Sequence, residues 1–174
     1  MVAESLQELF NTLPQIGRVC WIGLRPERKA PMVSVTSVEA VASKGLAGDR
    51  YNSKNGKRQV TLIQGEHLRA VASLLGRDQL EPELLRRNLV VTGINLIALK
   101  DKRFRIGTAL LEYTGLCHPC SAMETTLGPG GYNAVRGHGG ITARIIESGS
   151  IAIGDSVAAE FLAVETQGGT SEQA

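Results

Sequence analysis

The chain has 174 residues, 43% hydrophobic and 21% charged, which fits one domain around a single core and excludes a disordered or fibrous polypeptide. No apolar run reaches the ~18–20 residues of a spanning helix, so a spanning segment is excluded and no membrane partner is expected. Nineteen basic against 17 acidic residues leave a net charge of +2, which argues against a dedicated nucleic-acid binder. Met1 to Leu13 carries Glu4 and Glu8 with no basic leader, and three cysteines are an odd count. A reduced, cytoplasmic chain is therefore expected rather than a disulfide framework. Twenty glycines and only 4% aromatics imply many turns, short strands and a site built from loops.

In chain order, Leu6, Leu9, Phe10 and Leu13 recur at helical spacing and Pro14 ends that segment. Ile16 to Leu24 is a strand closed by Pro26, and Met32 to Ala42 reads as its partner. Gly45 to Gly56 is a glycine- and asparagine-rich loop. Val60 to Ile63 is a buried strand that runs into a helix over Glu66 to Leu75, stopped by Gly76. Glu81 to Arg86 is a helical turn with Pro82 at its first position, followed by the strand Leu89 to Thr92. Ala109 to Gly115 is a further strand, and Ile141 to Ile146 and Ser156 to Phe161 close the fold around the Gly154-Asp155 turn. The strands outnumber the helices without regular alternation, so the expectation is a mainly β fold: a closed β-barrel with a few short accessory helices. It forms one domain over residues 1–164, and the polar tail 165–174 is expected to be disordered.

The densest motif is Gly115-Leu116-Cys117-His118-Pro119-Cys120-Ser121, a strand ending in C-x-x-C with a short helix expected to begin at Cys120. A thiolate at a helix start is stabilised by the dipole and free amides there. That chemistry serves dithiol exchange, zinc binding or soft-metal ligation. Redox exchange suits a thioredoxin-like βαβ setting that this chain lacks, and zinc finds no second C-x-x-C or H-x-x-x-H. Gly128 to Gly140 packs six glycines beside Asn133, Arg136 and His138, a composition suited to an anion or to a plain surface loop. Arg86-Arg87-Asn88 opens an apolar strand with fixed donors, and Asp49 either caps a turn or orients Arg50 towards a ligand.

Together, Gly45 to Arg50, Arg86 to Leu96, Cys120 and Gly137 to Ile141 resemble the MOSC domain, the family named for the C-terminal domain of molybdenum-cofactor sulfurases. The resemblance runs from about Arg18 to Val157. It implies a β-barrel binding molybdenum cofactor, a phosphate-bearing pterin (molybdopterin) that holds the metal through a dithiolene. By analogy with the family's amidoxime-reducing members, Cys120 matches the metal's protein ligand, and Arg86 and Asn88 match residues that contact the pterin. Arg136, Asp49 and Arg50 complete the expected cofactor-binding set, and His138 is the expected catalytic proton donor. The implied reaction is molybdenum-dependent reduction of an N-hydroxylated small molecule, with electrons from an external donor protein. The alternatives are a sulfur carrier, in which Cys120 takes a persulfide from a cysteine desulfurase, and a non-catalytic cofactor carrier. No pyridoxal-phosphate-binding domain like that of the sulfurases is recognisable, which sets desulfuration by this chain alone aside.

Overall fold

The apolar runs need cover on both faces, and they find it by closing into a barrel with helices laid against one side. The computed structural model describes residues 5–161. Helix α1 (Leu6–Asn11) starts at a capping box in which Ser5 and Glu8 each bond the other's backbone amide. There follow β1 (Gly17–Leu24), β2 (Val33–Val35), β3 (Ser37–Val41), β4 (Gly45–Leu46), β5 (Val60–Gln64), α2 (Gly65–Leu74), α3 (Pro82–Leu85) and β6 (Leu89–Thr92). A 3-10 turn over Leu96–Leu99 leads to β7 (Arg103–Ile106), β8 (Ala109–Leu116), α4 (Ser121–Leu127), α5 (Gly131–Val135), β9 (Ile141–Glu147), β10 (Gly149–Ala152) and β11 (Ser156–Glu160). The proposed tail lies outside the described residues.

Seven strands close the barrel in the order β1, β6, β5, β9, β8, β7, β11, and β11 returns to β1 through Gly17 opposite Val157. All neighbours are antiparallel except β5 and β6. A parallel pair needs a crossover, which α2 and α3 supply. The fold is mainly β, as the sequence implies.

Strand β5 shows why these residues belong here. Val60 and Leu62 point into the barrel with Leu89, Val91, Phe104 and Ile141. Ile63 points outward, under Leu68 and Val71 of α2 and Met123 and Leu127 of α4. Both faces are covered, so the strand reads as an unbroken apolar run rather than an alternation. Each such leucine or isoleucine contributes about 1.5–3 kcal/mol on burial. Pro82 occupies the first turn of α3, where its missing N–H costs nothing.

Three sequence expectations change. Met32 to Ala42 is two strands: β2 pairs with β1, while β3 joins β10 and β4 in a separate three-stranded sheet. The chain bends at Thr36, whose carbonyl accepts the Ile153 N–H and so is spent on the second sheet. Strand β10 lies between the two expected closing strands, and the Gly154-Asp155 turn joins it to β11, with Asp155 Oδ2 accepting the Ala152 N–H at 2.8 Å. Strand β7 also goes unread, although Phe104 and Ile106 alternate with arginines as a half-buried strand should.

Candidate functional site

Strand register brings distant segments together. Leu62 pairs with Leu89 on one side and Ile141 on the other, and Ile141 also pairs with Leu116. Arg86–Asn88, Gly137–Gly140 and Cys117–Cys120 therefore all join the sheet at one level. Arg87, 8% exposed, ties them: its Nε donates to Gly139 O at 2.8 Å, Nη1 to Leu85 O at 2.6 Å and Nη2 to Cys117 O at 3.4 Å. Gly140 permits this closeness. Its φ is +87°, and a Cβ there would sit 1.9 Å from the Leu62 carbonyl oxygen, so only glycine fits.

Asn88 is wholly buried and all of its side-chain capacity is used. Its Oδ1 accepts from Thr61 N at 3.1 Å, Thr61 Oγ1 at 2.9 Å and Arg25 Nη2 at 3.2 Å. Its Nδ2 donates to Gly23 O and to Asp49 Oδ1, both at 3.1 Å. Asp49 in turn receives Arg25 through backbone N, Nε and Nη2, at 2.7, 3.0 and 2.8 Å. Burial alone would raise the Asp49 carboxyl, but the Arg25 hydrogen bonds and charge, with the Tyr51 N–H, outweigh it and hold the group below the usual carboxylate range. Asn88 and Asp49 thus act by fixing the fork of Arg25.

Around this hub the charge is lopsided. Arg86 sits in a left-handed conformation and donates Nη1 to Ala30 O at 2.7 Å. Its pKa is lowered by burial and then by the charges of Arg25 and Arg50, with Asp49 opposing. Arg87 is lowered chiefly by burial, with Arg58 and Arg25 adding to the effect and Cys117 and Cys120 opposing it. Arg25, Arg50 and Arg86 thus gather near the buried Asp49 carboxylate, while Arg87 and Arg58 carry the positive charge on towards the cysteines. Repulsion among them is relieved by an anion, and their planar forks match a phosphate.

The two motif cysteines differ sharply. Cys117 is 1% exposed, and Arg58 Nη2 lies 3.5 Å from its sulfur. Cys120 is exposed at the N-cap of α4, and its side chain makes no capping bond, so the thiol is unengaged. The third cysteine, Cys20, is exposed beside Thr92 Oγ1 and plays no part here. Among the described residues, no group of three or more His, Cys, Asp or Glu side chains gathers to hold a metal, so the zinc alternative has no ligand set. One soft thiolate completing a ligand-borne metal is chemistry that Cys120 can supply.

A pocket of about 110 Å³ opens beside this rim, lined by Gln64, His67, Leu96, Cys117, His118 and Ile141 among others. His138 is not in its wall but meets His67 edge-to-face, with ring centroids 4.9 Å apart. Arg136 is exposed and bonds Asn133 Oδ1 at 3.4 Å, while Arg50 is exposed within reach of the Arg86 charge. Sequence reasoning missed Arg25, Arg58 and Glu124, named Arg87 only as part of the Arg86–Asn88 motif, and gave His67 no catalytic role. Glu124 caps α5 by accepting the Gly130 and Tyr132 N–H groups at 2.7 and 2.9 Å, which lower its pKa and anchor the segment leading to His138.

Similarity to solved structures places this arrangement in a known fold. The YUAD protein of Bacillus subtilis superposes with a TM-score of 0.73 at 18% identity, over 84% of this chain and 97% of that one. YiiM of Geobacillus stearothermophilus gives 0.62 at 17% identity over 86% and 77%, and YiiM of Escherichia coli 0.65 at 16% over 83% and 70%. A search of curated protein sequences finds no match. Among the described residues no helix is long and apolar enough to cross a membrane. The MOSC domain model matches residues 26–158, well over half of the sequence and spanning Asp49, Arg86–Asn88, Cys120 and His138, and the chain therefore belongs to the MOSC domain family, which is associated with binding of the molybdenum cofactor.

Proposed function

We propose that the protein binds molybdenum cofactor at this rim and reduces N-hydroxylated small molecules. The observation that carries the reading is an exposed, unengaged thiol at Cys120 close to a guanidinium cluster that holds only one buried carboxylate. Bound there, the cofactor supplies a metal able to exchange two electrons. Cys120 Sγ offers the soft donor that such a metal prefers. Arg86 and Arg50 would hold the anionic group of the cofactor, and Asn88 with Asp49 keeps Arg25 aligned beside them. Arg87 holds the cysteine-bearing segment against the arginine-bearing one. Gln64 and the apolar wall of the pocket shield a small substrate from bulk water, which strengthens every charge interaction inside.

Electrons come from a separate donor protein, because the chain carries no flavin, haem or iron–sulfur motif of its own. Its three free cysteines suit a reduced, cytoplasmic setting. The exposure of Cys120 also suits the second reading, a persulfide carrier loaded by a cysteine desulfurase. Protein made in a cofactor-competent host is expected to carry molybdenum close to one per chain and to lose it in Cys120→Ser. A metal-free wild type that accepts a persulfide at Cys120 would replace the first reading with the second. Molybdenum without turnover under a chemical reductant would leave a carrier.

A further inference from the structure

Reducing an N–OH group to N–H takes two electrons and two protons and releases water, so a proton must reach the departing oxygen. We propose that His67 delivers that proton inside the pocket and that His138 acts as its positioning partner, an assignment that rests on the reductase reading above.

Three observations carry it. His67 is in the pocket wall, whereas His138 is not. The two rings are packed edge-to-face at 4.9 Å, so His138 fixes the orientation of the imidazole that meets the ligand. Among the described residues, Nδ1 of each ring is buried without a hydrogen-bond partner, which leaves Nε2 of His67 to exchange a proton with the pocket. The pocket wall contains no carboxylate and no arginine or lysine. It therefore suits an uncharged hydroxylamine or amidoxime whose oxygen accepts from His67.

In the step, His67 in its imidazolium form gives its Nε2 proton to the hydroxyl oxygen as the N–O bond breaks, and is left as the neutral ring. The oxygen leaves as water, and the two electrons come from the external donor protein. The nitrogen takes the second proton from solvent, and a further solvent proton restores His67. The groups facing His67 set when it holds its proton. Burial favours the neutral ring, the charge of His138 does the same, and Glu66 on the same helix opposes them, with Arg69 beyond it. His118 and Cys117 face it across the pocket.

The test uses imidazole proton resonances of the full chain, titrated with and without molybdenum cofactor. In His138→Phe, which keeps a ring in place, the His67 midpoint is expected to move upward because a like charge is gone. In molybdenum-loaded protein, the alkaline limb of the kcat profile should move upward with it. His67→Phe should retain full molybdenum and lose about a hundredfold in kcat. An unmoved His67 midpoint in His138→Phe, or wild-type kcat in His67→Phe, overturns the assignment. Failure of the reductase reading itself is distinguishable, because it shows as absent molybdenum or no turnover in the wild type while the titration still reports whether the two rings are coupled.

Discussion

Asn88 Nδ2 donates to Asp49 Oδ1 at 3.1 Å across 39 positions of chain, and both side chains are shut away from solvent. The pair forms the floor on which Arg25 rests, so it would act on the proposed cofactor only through that guanidinium. Asn88→Ala strands the Thr61 N–H and the Gly23 carbonyl in the interior. Each stranded group costs about 1–3 kcal/mol, so chemical unfolding is expected to show a loss of about 3 kcal/mol together with weaker cofactor retention.

Asp49 makes part of the stability depend on acid. Its folded pKa lies below the unfolded value of about 3.9, so its contribution is complete above that value and is lost as pH falls through the folded pKa. Wild-type protein should lose this contribution progressively below about pH 4. Asp49→Asn should lose less over the same interval while starting about 3 kcal/mol lower at neutral pH, because Arg25 is left buried and unpaired. Thermal melts at several pH values measure both.

Arg87→Lys is expected to behave as a loss, not a conservative change. An ammonium cannot send donors at fixed angles to the carbonyls of Gly139, Leu85 and Cys117 as the guanidinium does. About 2 kcal/mol of stability should go, and molybdenum retention should drop although Cys120 is untouched. Unfolding and elemental analysis on the same preparation check the pairing.

A thiol probe should label Cys120 and Cys20 quickly and Cys117 only on unfolding, since Cys117 is 1% exposed. Cofactor loading should then protect Cys120 and leave Cys20 reactive. Fast native labelling of Cys117 would contradict the packing described here.

Arg86→Ala is expected to weaken cofactor retention by roughly 1.5–3 kcal/mol, about ten- to a hundredfold, with little change in melting temperature. Among the described residues its only side-chain hydrogen bond is to one carbonyl, so the fold depends on that side chain far less than on Arg87. Dialysis against apo-protein measures the difference.

What the sequence made legible was local. Pro82 starting α3, Cys120 standing at the head of α4 and the buried run of β5 each follow from a few adjacent side chains. The bend at Thr36 was not local, because it depends on where Ile153 arrives. Nor was the difference between Arg86 and Arg87, which are chemically identical neighbours. One turns inward to three carbonyls and the other stays at the rim, and only the positions of Gly139 and Cys117 decide which. His67 lies in the helix expected over Glu66 to Leu75, and nothing near it in the chain tells that the loop before β9 lays His138 against it.

The barrel is shut by Gly17 and Arg18 meeting Val157 and Ser156, nearly the whole described chain apart. A nascent polypeptide cannot make that seam until β11 has left the ribosome, so early synthesis proceeds with β7 unpaired along its outer edge and β1 open at Gly17 and Arg18, beside the stretch that β2 covers. Bridging so long a loop is entropically demanding, and the seam belongs to the slow, late part of folding. A chain released before Ser156 would present these open edges to its neighbours and would be prone to edge-to-edge aggregation even though every residue of the arginine- and cysteine-bearing rim had already been made.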